Sequence, residues 1–298
     1  MLERSFAHQQ LRALKWRLPL DDDSKYYLER LERGFEGENE FSEIISSYNS
    51  CTSIHDFTFE IDGSTRQIDT VSLFNNECIL FEVKNYIGDF IYKDDEFYVY
   101  HNMQKIPSPV RQVDEASSKF RELLQRIGVR KSVRHYVVFI NEEFHLYNAP
   151  DHLSIITRAQ LRRVLDNLAR NRDAVNDTTL QLKEKLLAHN IKDTRPAQNI
   201  YHYDDLKKNV FCFNDGTPLH LSGRNSFTCE ICDFKTSVKE VVLETARDFS
   251  VLFPTEKITV PALIDFSGGV LTKHNLQKAL NEECVRHNKG RGTYYTLR

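Results

Sequence analysis

The chain has 298 residues, 40% hydrophobic and 28% charged, with 40 Lys and Arg against 43 Asp and Glu and a net charge of -3. That length suggests two or three domains at roughly 100–200 residues each, and the composition is ordinary for a soluble globular protein. No apolar run approaches the roughly 20 residues that span a bilayer, and residues 1–20 lack the continuous apolar core of a signal peptide, so a cytoplasmic protein with no membrane partner is expected. The near-neutral balance argues mildly against a nucleic-acid binder, which often carries a basic footprint. A local patch would suffice, and Arg111, Lys119, Arg121, Arg126, Arg130, Lys131 and Arg134 supply one. Taken by itself, that stretch reads better as a solvated helix face.

Residues 1–23 read as a short amphipathic arm. A helix follows over 24–47, its apolar stripe being Leu28, Leu31, Phe35, Phe41, Ile45 and Tyr48 at steps of three and four. Gly34 and Gly37 interrupt it, each costing about 1 kcal/mol against Ala in a helix interior, so close approach of another backbone is expected there. Three strand-like runs come next: IHDFTFEI (54–61) before the turn signal DGS, RQIDTVSLF (66–74) before NNE, and ECILFEVK (77–84). Residues 89–101 look like a hairpin around Asp94-Asp95. A helix is predicted over 110–127, after Pro107 and Pro109. RHYVVFIN (134–141) is apolar enough to predict a strand buried on both faces. LSIIT is strand-like, and AQLRRVLDNLA and TTLQLKEKLLAHN are helix-like. A helix followed by an apolar strand predicts an α/β domain, a mixed sheet with helices on its faces, over 24–191.

Residues 192–210 are polar and read as a linker. Residues 211–236 form a small aromatic segment containing Cys229 and Cys232. Residues 237–298 give helix, short strand, short helix, Gly-Gly turn, helix over 274–285 and a final strand. That order resembles a winged helix.

The chemistry-bearing residues lie on the second and third strands. Side chains alternate faces along a strand, so Asp69 shares a face with Val71 and Leu73, and Glu82 and Lys84 share one with Leu80. A buried carboxylate is normally paired or bound to a metal. Two carboxylates on adjacent strands beside a lysine suit a hard divalent cation, Mg2+ or Mn2+, which prefers oxygen ligands. A plain cross-strand salt-bridge cluster is the competing reading. Glu38 adds a third acid, placed on the apolar stripe of the first long helix and so expected to point toward the sheet.

The D-x(12)-E-V-K spacing with a preceding helical Glu resembles the PD-(D/E)xK (restriction-endonuclease-like) nuclease core. GFEGE (34–38), QID (67–69), FEVKNYIG (81–88) and PSPVRQ (107–112) together look like its nuclease-related (NERD) branch, over roughly residues 30–150. The resemblance implies metal-dependent hydrolysis of DNA phosphodiester bonds, in DNA processing or in defence against foreign DNA. It implies that Asp69 and Glu82 hold the metal with the Val83 carbonyl, and that Glu38 is a ligand, direct or through water. Lys84 would orient the attacking water and stabilise charge on the phosphate, with Gln112 positioning it. Tyr86, beside Asn85, would flank the site and join Arg111 and Lys119 in contacting nucleic acid. The alternatives are a catalytically silent nucleic-acid-binding protein and a protein-interaction scaffold. A homodimer is a reasonable expectation for an enzyme that cuts both strands.

In the C-terminal half, Cys229-Glu-Ile-Cys232 resembles the second knuckle of a zinc ribbon, whose metal takes four ligands, usually from two C-x-x-C knuckles. The first knuckle is degenerate, Cys212-Phe-Asn-Asp215-Gly, so the set for Zn2+ would be Cys212, Asp215, Cys229 and Cys232, with His220 as another fourth ligand. A ribbon that has lost its metal stands against this, and a redox C-x-x-C fits less well without a βαβ pattern. Helix 274–286 and the wing with Lys289 and Arg291 would contact a DNA backbone if the winged helix binds DNA; a protein-interaction module is the equal alternative.

Overall fold

A computed structural model describes residues 2–170, 172–191, 195–197, 201–223, 225–288 and 292–298. The chain divides into two compact units: 1–3 with 30–193, and 4–29 with 194–298. The first helix, α1 (Phe6–Leu14), goes with the second unit, and α2 (Asp22–Ser46) enters the first unit at Arg30.

The first unit begins its sheet with β1 (Thr52–Ile61) and β2 (Ser64–Leu73), joined through Asp62 and Gly63. Both turn residues have positive φ, +50° and +70°, the backbone that a two-residue hairpin turn demands and that Asp-Gly readily adopts. This turn sets the antiparallel register from Ile61↔Ser64 out to Thr52↔Leu73. β3 (Glu77–Lys84) pairs antiparallel with β2, and parallel with β7 (Ser132–Phe139), which pairs parallel with β9 (Ile155–Thr157). The result is a mixed five-stranded sheet in the order β1-β2-β3-β7-β9.

Alternation along β3 explains how both faces are covered. Ile79, Phe81 and Val83 join Phe41 and Ile45 of α2, and Leu161 and Leu165 of α4 (Arg158–Ala169), in one apolar cluster. Cys78 and Leu80 join Phe120 and Leu123 of α3 (Pro109–Arg126), and Leu182 and Leu186 of α5 (Asp177–Leu187), in another. Ser108 caps α3 by accepting from Arg111 N, and Pro109 sits at the helix start, where its missing N–H costs nothing. β7 departs from the expected burial on both faces. Val137, Val138 and Phe139 are buried, but Arg134 is exposed and His135 and Tyr136 are half-buried, because this end of the strand carries ion pairs rather than core.

A second sheet, ordered β6-β5-β4-β8, comprises β4 (Gly88–Lys93), β5 (Glu96–Val99), β6 (Lys105–Ile106) and β8 (Phe144–Tyr147). Phe90, Phe97 and Phe144 pack with Phe139 beneath it.

In the second unit, β10 (His220–Ser222), β11 (Ser226–Thr228) and β12 (Lys235–Ser237) form a three-stranded sheet. α6 (Val238–Leu252) follows, opened by a reciprocal Ser237–Glu240 capping box. Then come α7 (Val260–Phe266), α8 (Lys273–Glu283) and the hairpin β13 (Cys284–His287) with β14 (Tyr294–Leu297). α8 stops two residues short of its expected end, since Cys284 already pairs with Leu297. The N-terminal segment packs its apolar side chains inward: Leu11 and Leu14 are fully buried. Arg17 is buried as well, donating to the carbonyls of Asn209 and Phe266 and to Asp248.

Candidate active site

The antiparallel register places Asp56 of β1, Asp69 of β2 and Glu82 of β3 in one row across three strands. Pairing runs on both sides of the first two, His55↔Thr70 and Phe57↔Ile68, but skips Asp56 and Asp69. Asp56 there has φ +52°. The β2–β3 ladder likewise ends at Thr70↔Phe81, one step before Asp69 and Glu82. Where the strands part, the Asp69 carboxylate accepts the Val83 N–H at 2.7 Å, so a side chain occupies what would otherwise be a backbone partner's place.

Lys84, two residues beyond Glu82 and so on the same face, donates to Glu82 Oε1 at 2.5 Å and to Gln112 Oε1 at 3.3 Å. Gln112 lies in the first turn and a half of α3. Glu38 arrives from α2. The close approach at Gly37 is by side chains rather than by the expected backbone: a Cβ there would lie 2.8 Å from Asn85 Cβ and 2.9 Å from Ile140 Cγ2. Gly34 does not share this role, because a Cβ there would meet nothing closer than Glu38 Oε1 at 3.9 Å. Asn85 ties the region together, donating to Arg33 O and accepting from Asn141.

The electrostatics show a surplus of negative charge. Burial pushes the Glu38 carboxyl up to about 9, with Asp69, Asp56 and Glu82 adding to the rise. Burial and Asp69 push Glu82, only 2% exposed, up to about 8. Asp69 is raised by burial, although Lys84 and the Val83 N–H pull it back. Burial would lower Lys84, but Glu82 and Asp69 outweigh it and hold the ammonium charged. One lysine therefore faces four acids. Carboxylate oxygens such as those of Glu38, Asp69 and Glu82 are the donor chemistry that a hard divalent cation takes.

Asp56 escaped the sequence reading. The signal was present, since a two-residue Asp62-Gly63 turn places Asp56 opposite Asp69. His55 was also missed. Its ring bridges Ser42 Oγ at 3.1 Å and Thr70 Oγ1 at 3.0 Å on the other face of the sheet.

The expected nucleic-acid contacts are placed less simply. Tyr86 stacks on Phe90 with centroids 5.3 Å apart. Arg111 pairs with Glu96 at 2.8 Å, and Lys119 with Glu122 at 3.0 Å. Much of the basic stretch is likewise engaged: Arg121 donates to Val133 O, Lys131 to Phe74 O, Arg126 pairs with Asp62 and Arg134 with Glu77. Lys289 and Arg291 lie outside the described residues.

In the second unit, donor atoms of Cys212, Asp215, Cys229 and Cys232 all lie within 4.8 Å of one another. His220 is not among them; it is exposed, and its ring lies 3.9 Å from Glu230.

Residues 33–140 match the nuclease-related domain family, NERD. The matched span lies in the first unit and takes in much of its mixed, helix-flanked sheet. Glu38, Asp69, Glu82, Lys84 and Gln112 all fall within the matched span. No curated protein matches the chain. Among solved structures, the small subunit (R.BspD6I2) of the heterodimeric restriction endonuclease R.BspD6I is similar at 14% identity. That likeness covers 51% of this chain and 77% of the other, with a TM-score of 0.22, and it adds no weight to the site. Among the described residues, no helix is long and apolar enough to cross a membrane.

Proposed function

We propose that the first unit is a Mg2+- or Mn2+-dependent nuclease that hydrolyses DNA phosphodiester bonds. The observation that carries this reading is the row of half-buried and buried carboxylates beside Lys84, within the span that matches the nuclease-related domain. Asp69, Glu82 and the Val83 carbonyl would hold the cation, with Glu38 as a further ligand. When bound, such an ion supplies Lewis acidity toward the phosphate and lowers the pKa of water. Lys84 holds a fixed positive charge where the scissile phosphate gains negative charge, the electrostatic stabilisation that most lowers such barriers. Gln112, bonded to the same ammonium, positions it. Tyr86, Arg111 and Lys119 would contact the nucleic-acid backbone.

The second unit supports a targeting role. α6, α7 and α8 with the β13–β14 hairpin, and Ile258 bridging to Tyr295, have the order of a winged helix. Exposed Lys273, Gln277 and Lys278 on α8 would then face DNA. A homodimer would supply the two sites that cutting both strands requires.

The test is cleavage of plasmid, linear duplex and single-stranded DNA with Mg2+, Mn2+ or EDTA, wild type beside Lys84→Ala. Cutting that needs the metal and vanishes in the variant is expected. A folded wild type that neither cuts any substrate nor binds either ion would overturn the nuclease reading.

A further inference from the structure

The cysteine-bearing segment of the second unit is built from two turns of the same design. In the first, Cys212 N donates to Thr217 O at 2.8 Å; in the second, Cys229 N donates to Phe234 O at 2.9 Å. Both bonds span five residues. The donor at the fourth position of each turn, Asp215 or Cys232, is followed by a residue with left-handed backbone, Gly216 at φ +74° and Asp233 at φ +55°. In each turn backbone N–H groups point at the first sulfur. Asn214 and Asp215 bond Cys212, and Ile231 N donates to Cys229 Sγ at 3.4 Å. Such donors stabilise a thiolate, the form that binds metal. Thr217 N donates to Asp215 Oδ1 at 2.8 Å, which orients that carboxylate.

The separations match a shared ion. Zinc–sulfur bonds of about 2.3 Å in a tetrahedron place ligand sulfurs roughly 3.8 Å apart. Cys212 Sγ and Cys232 Sγ are 3.6 Å apart, and Cys229 Sγ is 3.3 Å from Asp215 Oδ2. A disulfide would need about 2.05 Å, and all of these cysteines are free. The first turn is closed by a lone Phe211–Pro218 bridge and the second joins β11 to β12, strands of three residues each, and a segment this small gains little from its own core and commonly relies on a staple.

We propose that Cys212, Asp215, Cys229 and Cys232 form a four-ligand structural Zn2+ site, with Asp215 in place of a fourth cysteine. Three thiolates and tetrahedral spacing select zinc over the hard cations suited to the first unit. His220 takes no part. This assignment stands apart from the nuclease reading, and its test uses no cleavage.

The full-length chain, purified under reducing conditions, is assayed for zinc by elemental analysis and then exchanged with Co2+. One zinc per chain and an intense thiolate-to-cobalt charge-transfer band are expected. Carboxylates of the first unit cannot produce that band. Asp215→Cys should retain the metal and raise the band by about one third, as three thiolates become four. Cys229→Ser should lose zinc, and His220→Ala should change nothing. Wild type that holds no zinc and gives no charge-transfer band with added Co2+ would overturn the site. An unchanged band in Asp215→Cys, or zinc lost in His220→Ala, would overturn Asp215 as the fourth ligand.

Discussion

Strand β3 carries a buried glutamate at each end, and the two meet opposite fates. Glu77 is bonded by Arg134 at 2.6 and 2.7 Å and by Arg172, and although burial alone would raise it, these partners hold its carboxyl below the usual range. Glu82 is just as sheltered, but its neighbours are Asp69 and Glu38 with Lys84 as its cation, and it is pushed up to about 8. The same residue type on the same strand is thus in a completed ion cluster at one end and, at the other, in one where a single lysine faces several acids. A fold built only for stability has no use for the second arrangement, since buried charge without adequate pairing is costly. The missing positive charge is the physical argument for a cation there.

The largest test of this contrast is catalytic. Lys84→Ala should cut DNA cleavage about 1000-fold, while circular dichroism shows the fold kept. Loss of activity with loss of fold would assign Lys84 to structure and erase the distinction between the two ends. Stability should show the reverse ranking. Glu77→Gln leaves two arginines without their carboxylate and should cost about 3 kcal/mol in denaturant unfolding. Glu82→Gln should lie within about 1 kcal/mol of wild type in EDTA, because it removes a charge that the site already disfavours. Added Mg2+ should then stabilise wild type and not Glu82→Gln. Equal costs for the two variants would break the comparison.

Much of this site was legible in the sequence, for reasons of periodicity. Asp69, Glu82 and Lys84 stand on strands whose alternation assigns their faces, and Glu38 falls on a helical apolar stripe. Asp56 was not read, because it belongs to no motif and its place depends on hairpin register. The clamp on Glu77 was also invisible. Its arginines are 57 and 95 residues away in sequence, and only the parallel pairing Glu77↔Ser132 brings β7 alongside. The same long-range pairing explains why the basic stretch did not resolve into a binding patch: Arg121, Lys131 and Arg134 are spent on contacts that no local pattern reveals. Gly34 and Gly37 look equivalent by spacing, and only the approach of Asn85 and Ile140 separates them.

That separation is itself measurable. Gly37→Ala inserts a methyl group into contacts of 2.8 and 2.9 Å and should destabilise by about 2 kcal/mol through overpacking. It should also lower activity, because α2 carries Glu38. Gly34→Ala makes only an ordinary contact, 3.9 Å to Glu38 Oε1, and should stabilise by up to about 1 kcal/mol through helix propensity. If both substitutions act alike, the close approach at Gly37 is not what places Glu38.

The smallest effect concerns His55, on the sheet face opposite the acid row. Its ring lies between Ser42 and Thr70. Burial, with Lys183 adding, lowers its pKa to about 4 from 6.5. In the unfolded chain the imidazole takes up a proton near pH 6.5, whereas in the folded chain it resists until about pH 4. Between those values the unfolded state binds more protons, so stability falls as pH falls, and the full contribution is present only above pH 6.5. Discounted for partial exposure, the loss should be on the order of 1 kcal/mol. His55→Gln keeps a hydrogen-bonding side chain but cannot titrate. Its unfolding free energy, measured beside wild type from pH 7 to pH 4, should decline less steeply by that amount. Parallel curves would mean that the acid sensitivity of this unit comes from its carboxylates alone, and that the neutral ring plays no part in it.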